Sequence, residues 1–234
     1  MKIIVPDYYQ DFRCIADKCR HSCCIGWEID VDEDSLARFE ALPDIAPHIE
    51  DGHIRLLENE RCPFLNSDGL CDMIILHGED TLCGICRDHP RFRNFWADRI
   101  EMGLGLVCEE ACRIILTRSE PMKLVVLEDD GEEIAQPEDE VWLTDLRTRL
   151  LLDLPDDPME ARLFEYLVYR HLPDALYDGR VDARITFIDA CVEEITKAWA
   201  GLDTLVDKLE FVRSWSYDVE YDEEELERRI SKYE

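Results

Sequence analysis

The sequence predicts a mainly α-helical chain with small β-hairpins, in which a cysteine-rich metal-binding module (residues 1–118) is packed on a helical module (residues 119–234). Three observations predict it. Ten of the eleven cysteines fall within the first 112 residues, among short apolar runs broken by Gly, Pro and Asp-Gly pairs. From about residue 119 onward the pattern reads as almost wholly helical, and only Cys191 remains. At 234 residues the chain can bury a core without needing cross-links to hold it.

In the first half, Leu36, Phe39 and Leu42 share one face of a short helix over 34–42, which Pro43 stops. Asp51-Gly52 and Asp68-Gly69 each lie between apolar residues, as hairpin turns do. The second pair lies inside the segment from Cys62 to Cys71, and folding it back brings those two thiols together as a metal-binding knuckle. Residues 99–107 alternate as a strand, and 108–116 read as a helix ended by Pro121. The second half supplies helices at 138–153, 158–172, 181–200, 203–216 and 222–232. Ile185, Ile188, Val192, Ile195 and Trp199 recur at helical spacing and are read as core. The tail has acids early and Arg228, Arg229 and Lys232 late, which suits the dipole of a solvated terminal helix.

Lysine and arginine number 26 against 55 acids, a net charge of −29. That balance argues against non-specific binding to nucleic acid or to an anionic membrane. Only three consecutive apolar residues, Ile3 to Val5, precede Pro6 at the start, whereas a secretory signal needs about 7–15. A cytoplasmic location and no membrane span are therefore expected. In a reducing compartment, clustered cysteines are metal ligands or redox centres more often than disulfides.

The cysteines begin as C-x4-C-x3-C-C, with Cys14, Cys19, Cys23 and Cys24, and continue with Cys62, Cys71, Cys83, Cys86, Cys108 and Cys112. Four thiolates suffice for a tetrahedral zinc ion or a cubane iron–sulfur cluster. On a helix Cys19 and Cys23 would face one side, with Cys24 turned roughly 100° away; a loop relaxes that restriction. The lone C-x-x-C of Cys83 and Cys86 equally fits a redox pair. One principal site leaves thiols over, and Cys83, Cys112 and Cys191, each within an apolar or helical run, are read as bystanders. His21 is a loop residue or a ligand; His48, His53, His77 and His171 are read as surface or capping residues. The one basic run, Arg87 to Arg93 with Arg99 beyond, either offsets thiolate charge or pairs with surface acids.

Phe12-Arg13-Cys14, Cys19, Cys23-Cys24, Gly26-Trp27 and Asp30 together resemble the opening of the flagellin lysine-N-methylase family. The resemblance continues through Cys62-Pro63-Phe64-Leu65, Asp68-Gly69-Leu70-Cys71, Cys86-Arg87, Pro90-Arg91 and Cys108-Glu109-Glu110-Ala111, and more weakly through Glu165 to His171. Glu109 stands where the family usually has proline, and the family's members are considerably longer. The resemblance implies an iron–sulfur cluster (4Fe-4S), S-adenosylmethionine as methyl donor, and lysine ε-amines of flagellin or another lysine-rich protein as acceptors. It marks Cys14, Cys19, Cys23, Cys24, Cys62, Cys71, Cys86 and Cys108 as metal positions, and with it Arg87, Arg91 and Arg93 are read as holding the methionine carboxylate. Small bacterial cysteine-rich proteins described as zinc- or iron-chelating share much of the pattern. They leave open a non-catalytic zinc- or iron-binding protein, beside the thiol redox or sensing reading of Cys83 and Cys86.

Overall fold

A computed structural model describes residues 1–234. The chain is mainly α-helical with one four-stranded and one two-stranded sheet, the class expected. The elements run β1 (Lys2–Pro6), α1 (Glu33–Phe39), β2 (Ile49–Glu50), β3 (His53–Ile54), α2 (Asp72–His77) and α3 (Gly84–Asp88). They continue with β4 (Arg91–Phe95), β5 (Arg99–Leu104), α4 (Glu109–Leu116), β6 (Leu124–Asp129), α5 (Glu138–Leu150) and α6 (Pro158–His171). Four more helices follow: α7 (Ala175–Asp178), α8 (Val181–Trp199), α9 (Leu205–Glu220) and α10 (Glu223–Ile230). No helix is long and apolar enough to cross a membrane.

The chain forms two compact units, one of Cys14–His89 and one of Met1–Arg13 with Pro90–Glu234. Residues 90–118 carry Cys108 and Cys112, but they build the sheet and core of the helical unit. β5 pairs with β1 in parallel and with β4 antiparallel, and α4 packs on α6 and α9.

In the Cys14–His89 unit, Ile29, Val31, Phe39, Ile45, Ile54, Phe64 and Met73 form a small core that also takes in Cys62 and Cys83. Asp51 and Gly52 both have positive φ, 50° and 84°, the pattern of a two-residue turn joining β2 to β3. The Asp32 carboxylate starts α1 by accepting the Ser35 amide at 2.9 Å.

The other unit is organised on a sheet of order β4-β5-β1-β6. β6 is the exception in a stretch read as almost wholly helical: Leu124 to Leu127 is an aliphatic run with the β-branched Val125 and Val126, and it pairs antiparallel with β1, Val125 opposite Val5. β4 falls on the basic run and was not apparent from it. Phe92 stands opposite Gly103, where a Cβ would overlap the Phe92 ring; that ring also lies 6.3 Å from Tyr166 and 6.0 Å from Tyr169. α6 begins with Pro158 directly after Asp157, whose carboxylate accepts the Met159 and Glu160 amides. Thr204 and Asp222 cap α9 and α10 in the same way. Leu163, Leu167, Phe187, Ile188, Ile195, Val212 and Val219 fill the core between these helices.

Within that core a carboxylate is fully buried. Glu220 accepts from Arg170 Nε at 3.1 Å, His171 Nε2 at 2.8 Å, Tyr166 Oη at 3.0 Å and the Ser216 hydroxyl. His171, read as a surface or capping residue, is only 2% exposed; it lies on the inward face of α6, where a lone histidine in sequence cannot be told from a solvated one. Burial lowers the His171 pKa from its ordinary 6.5 despite the bond to Glu220. For Glu220 burial acts upward, but the Arg170 charge with the His171 and Ser216 hydrogen bonds prevails, and its pKa lies below 4.5. The folded state thus binds fewer protons than the unfolded chain at both groups, so their contribution is present at neutral pH. It is lost as pH falls below 6.5, where unfolded His171 protonates, and again below 4.5 for Glu220. The thermal midpoint followed by near-ultraviolet circular dichroism of the buried tryptophans is expected to fall in both windows, with a shallower acid slope in Glu220→Gln; a pH-independent midpoint between 7 and 4 contradicts this.

Candidate metal centre

Backbone pairing builds the thiol cluster of the Cys14–His89 unit. Residues 24–26 and 60–62 run antiparallel: the Cys62 amide donates to the Cys24 carbonyl at 2.8 Å, the Gly26 amide to Glu60 at 2.9 Å, and Ile25 faces Arg61. Cys24 and Cys62 are thereby set side by side. Ser22 shapes the preceding turn, its hydroxyl accepting the Cys24 amide at 3.2 Å. The chain then folds back at Asp68-Gly69, as read from the sequence, with Leu65 paired to Cys71 and Gly69 at φ 77°. Asn66 holds this loop: its Oδ1 accepts the Asp68 and Leu70 amides at 3.0 Å, and its Nδ2 donates to Asp72 at 2.8 Å. A Cβ on Gly69 would lie 3.6 Å from Asp17 Cα, so the loop tip rests on the segment between Cys14 and Cys19.

Cys71 immediately precedes α2, and Cys83 immediately precedes α3, which carries Cys86. Asp32 ties this second knuckle to α1, accepting the Gly84 amide at 2.7 Å and the Ser35 hydroxyl at 2.8 Å. The Gly84 amide and the Ser35 hydroxyl hold the Asp32 carboxyl down at about 2. A sequence signal for Asp32 existed, since an Asp just ahead of a helical apolar run marks a helix start; its reach to residue 84 had none.

Electrostatics show which thiols share one environment. Burial pushes Cys62 up to about 11, with the charges of Cys24, Cys71 and Cys83 acting in the same direction and the Phe64 amide opposing. Cys71 is likewise raised by burial, against the amides of Ile74 and Met73. Neither Cys71 nor Cys83 makes a regular capping hydrogen bond, yet first-turn amides lie close enough to favour the anion of each. A hydrogen bond from Cys23 draws Cys24 down to about 7, helped by Ser22 and the Arg61 charge. The Cys86 thiol does the same for Cys83, also about 7, while Cys86 itself is raised by that bond and by burial.

Five of the eight cysteines marked by the resemblance are thus neighbours: Cys23, Cys24, Cys62, Cys71 and Cys86. Cys83, read as a bystander because it sits in an apolar run, belongs with them; it is buried because the cluster is part of the core. Cys14 is exposed, and Cys19 is half-buried with its thiol donating to the His21 carbonyl at 3.1 Å. Cys108 lies in the other unit, immediately before α4, where its charge reaches Cys112 and Tyr221. Cys112 and Cys191 are buried thiols of the helical core, both raised by burial. The three arginines do not fall in one unit either. Arg87 is exposed on α3, whereas Arg91 and Arg93 lie two residues apart on β4, with Arg91 above the rings of Tyr9 and Phe12 at 5.6 and 5.5 Å.

Sequence reading missed Arg61. Its guanidinium donates to the Leu65 carbonyl at 3.2 Å and the Asn66 carbonyl at 2.6 Å, so one side chain braces the loop from Cys62 to Cys71 and places a positive charge beside Cys24. His53, read as a surface or capping residue, meets Asp30 across an antiparallel bridge at 2.6 Å, with Glu28 at 3.6 Å. Chemically, this region offers six thiols, Cys62 and Cys83 buried, Cys24, Cys71 and Cys86 half-buried and Cys23 exposed, with Cys24 and Cys83 drawn down to about 7. Such a soft donor set suits zinc or an iron–sulfur cluster rather than magnesium or calcium.

Among curated proteins, the chain is similar to a lysine-N-methylase of Salmonella choleraesuis, 28% identical over 134 residues, covering 51% of this chain and 33% of that protein. A lysine-N-methylase of Salmonella typhimurium matches to the same extent. The flagellar biosynthetic protein FliU of Salmonella muenchen is 27% identical over 134 residues, covering 51% of this chain and 79% of that protein. The match thus spans about a third of the length of the two lysine-N-methylases. No family model and no solved structure matches the chain.

Proposed function

We propose that the Cys14–His89 unit holds a 4Fe-4S cluster and that the chain methylates lysine ε-amines of flagellin, or of another lysine-rich protein, with S-adenosylmethionine in the cytoplasm. The grouping of Cys23, Cys24, Cys62, Cys71, Cys83 and Cys86 carries the first half of this reading. The names of the similar proteins support the second. The thiols fit the group: four are enough, Cys24 and Cys83 are drawn down to about 7, and the Arg61 charge favours the Cys24 thiolate. When bound, the cluster supplies redox-active, Lewis-acidic iron. The protein's own part is to exclude water through Phe64, Met73 and Leu82, which are buried around Cys62 and Cys83, and to keep the loop from Cys62 to Cys71 fixed through Arg61 and Asn66.

Methyl transfer further requires a neutral lysine amine, which desolvation in a site favours over the ammonium. Arg91 and Arg93, on one face of β4, remain the proposed partners of the methionine carboxylate. The Cys83–Cys86 hydrogen bond favours a second reading, a thiol redox pair.

Protein purified without oxygen is expected to be brown, with broad absorbance near ~400 nm and roughly four iron and four sulfide per chain, and to transfer labelled methyl groups to flagellin. Colourless protein with one zinc per chain replaces the iron–sulfur reading with zinc binding. Metal-free protein whose Cys83 and Cys86 oxidise reversibly to a disulfide favours the redox pair.

A further inference from the structure

The unit formed by Met1–Arg13 and Pro90–Glu234 carries a pocket of about 290 Å³ where the end of β4 meets the start of α5 and α7. Phe95, Trp96 and Tyr177 give it aromatic walls, Asp139 and Glu140 give it charge, and no basic residue lines it. The Tyr177 hydroxyl donates to the Phe95 carbonyl at 2.7 Å, which ties the two segments together. Both rings remain open to solvent, Phe95 54% and Tyr177 67% exposed.

Glu140 is the informative group. It is only 8% exposed. Its Oε1 accepts the Ala97 amide at 2.8 Å, while Oε2 is buried with no hydrogen-bond partner. Buried polar atoms in native proteins are nearly always paired, and an unpaired carboxylate oxygen is among the costliest exceptions. Its natural complement is a cationic donor brought by a ligand. The nearby arginines do not supply one: Arg99 and Arg147 are both bound to the buried Glu101 carboxylate, and Arg99 stacks on Trp96 at 3.9 Å. The N-terminal end of α5 carries a partial positive charge of about one half, but Glu138, Asp139 and Glu140 in the first turn outweigh it.

We infer that this pocket takes the side-chain ammonium of a lysine presented by a partner polypeptide, with the ammonium paired to the Glu140 carboxylate and the aliphatic stem across Phe95 and Tyr177. An ammonium gains from a carboxylate and from aromatic faces together, and a lysine stem packs well on exposed rings. The choice of lysine among cationic amines rests on the lysine-methylation reading; the demand for a cation rests on the pocket alone.

The test is a nuclear magnetic resonance titration of the full chain at low salt, following the Trp96 indole N–H with Nα-acetyl-lysine amide, its ε-trimethyl form and Nα-acetyl-norleucine amide. Saturable binding of both cationic ligands and none of norleucine is expected. Glu140→Gln keeps an acceptor for the Ala97 amide and is expected to weaken lysine binding at least tenfold. Tyr177→Leu, at an exposed ring, is expected to weaken it several-fold. Equal binding of norleucine and lysine, or unchanged lysine affinity in both variants, overturns the inference. Lysine binding without methyl transfer keeps the pocket and removes the methylation reading. Methyl transfer to lysine with an unchanged KM in both variants keeps methylation and removes the pocket.

Discussion

Serine in place of Cys24, Cys62, Cys71 or Cys86 is expected to abolish metal retention, whereas Cys112→Ser and Cys191→Ser are expected to leave the metal content of the protein unchanged. A ligand thiolate cannot be replaced by a hydroxyl that stays protonated at neutral pH. The first four share one environment in which each feels the charge of others. Cys112 and Cys191 instead lie in the helical core of the other unit. Their substitution buries a hydroxyl at a cost of about 1–3 kcal/mol, which lowers stability but leaves the donors intact. Cys83→Ser separates the two readings of residue 83: it removes metal if the thiol is a ligand, and preserves it if the residue is only packed. Metal determination by plasma mass spectrometry on anaerobically purified variants decides the matter. Full occupancy in Cys24→Ser and Cys62→Ser would remove the centre from these residues.

Local chemistry was legible in the sequence where the structure is local. Asp51-Gly52 and Asp68-Gly69 make the turns their residue types demand, and the second brings Cys71 back toward Cys62. Helices with long apolar periodicity were also legible, their ends set by Pro158, Thr204 and Asp222. What escaped was pairing between distant segments. β1 and β6 are five and six residues long, and each becomes a strand only by meeting a partner remote in sequence; β4 pairs with nearby β5 but was hidden by its basic residues. The same limit governs the candidate centre. Spacing alone could not show that Cys23 and Cys24 lie in a loop beside residues 60–62, and so can both join one group of thiols. Nor could it show that the apolar run around Cys83 is apolar because it walls that group. Arg61 was passed over because its role is to bind carbonyls, which carry no sequence signature.

Glu220→Ala is the substitution expected to cost the most stability, about 3–5 kcal/mol, the range for breaking a buried ion pair by removing one partner. The carboxylate is fully enclosed and serves four donors at once. Without it Arg170 keeps its charge in a site where only 12% of its side chain is exposed and where Nη1 already lacks a partner. Tyr166 and Ser216 lose their acceptor as well. Relief by movement is restricted, since a Cβ at Gly105 would overlap the Tyr221 hydroxyl and crowd Arg170, a measure of how closely the backbone packs there. In a domain of this size the loss corresponds to a thermal midpoint lower by roughly 10 °C. Arg228→Ala, at an exposed pair with Glu225, is the control and leaves the midpoint unchanged, because exposed ion pairs gain little over water. Removing both partners, as in Arg170→Met with Glu220→Gln, recovers much of the loss, since the uncompensated charge is gone. Calorimetry of the three variants in one buffer at pH 7 measures this. A parent-like midpoint for Glu220→Ala means that water reaches Arg170, and the closed core around α6 and α9 is then wrong.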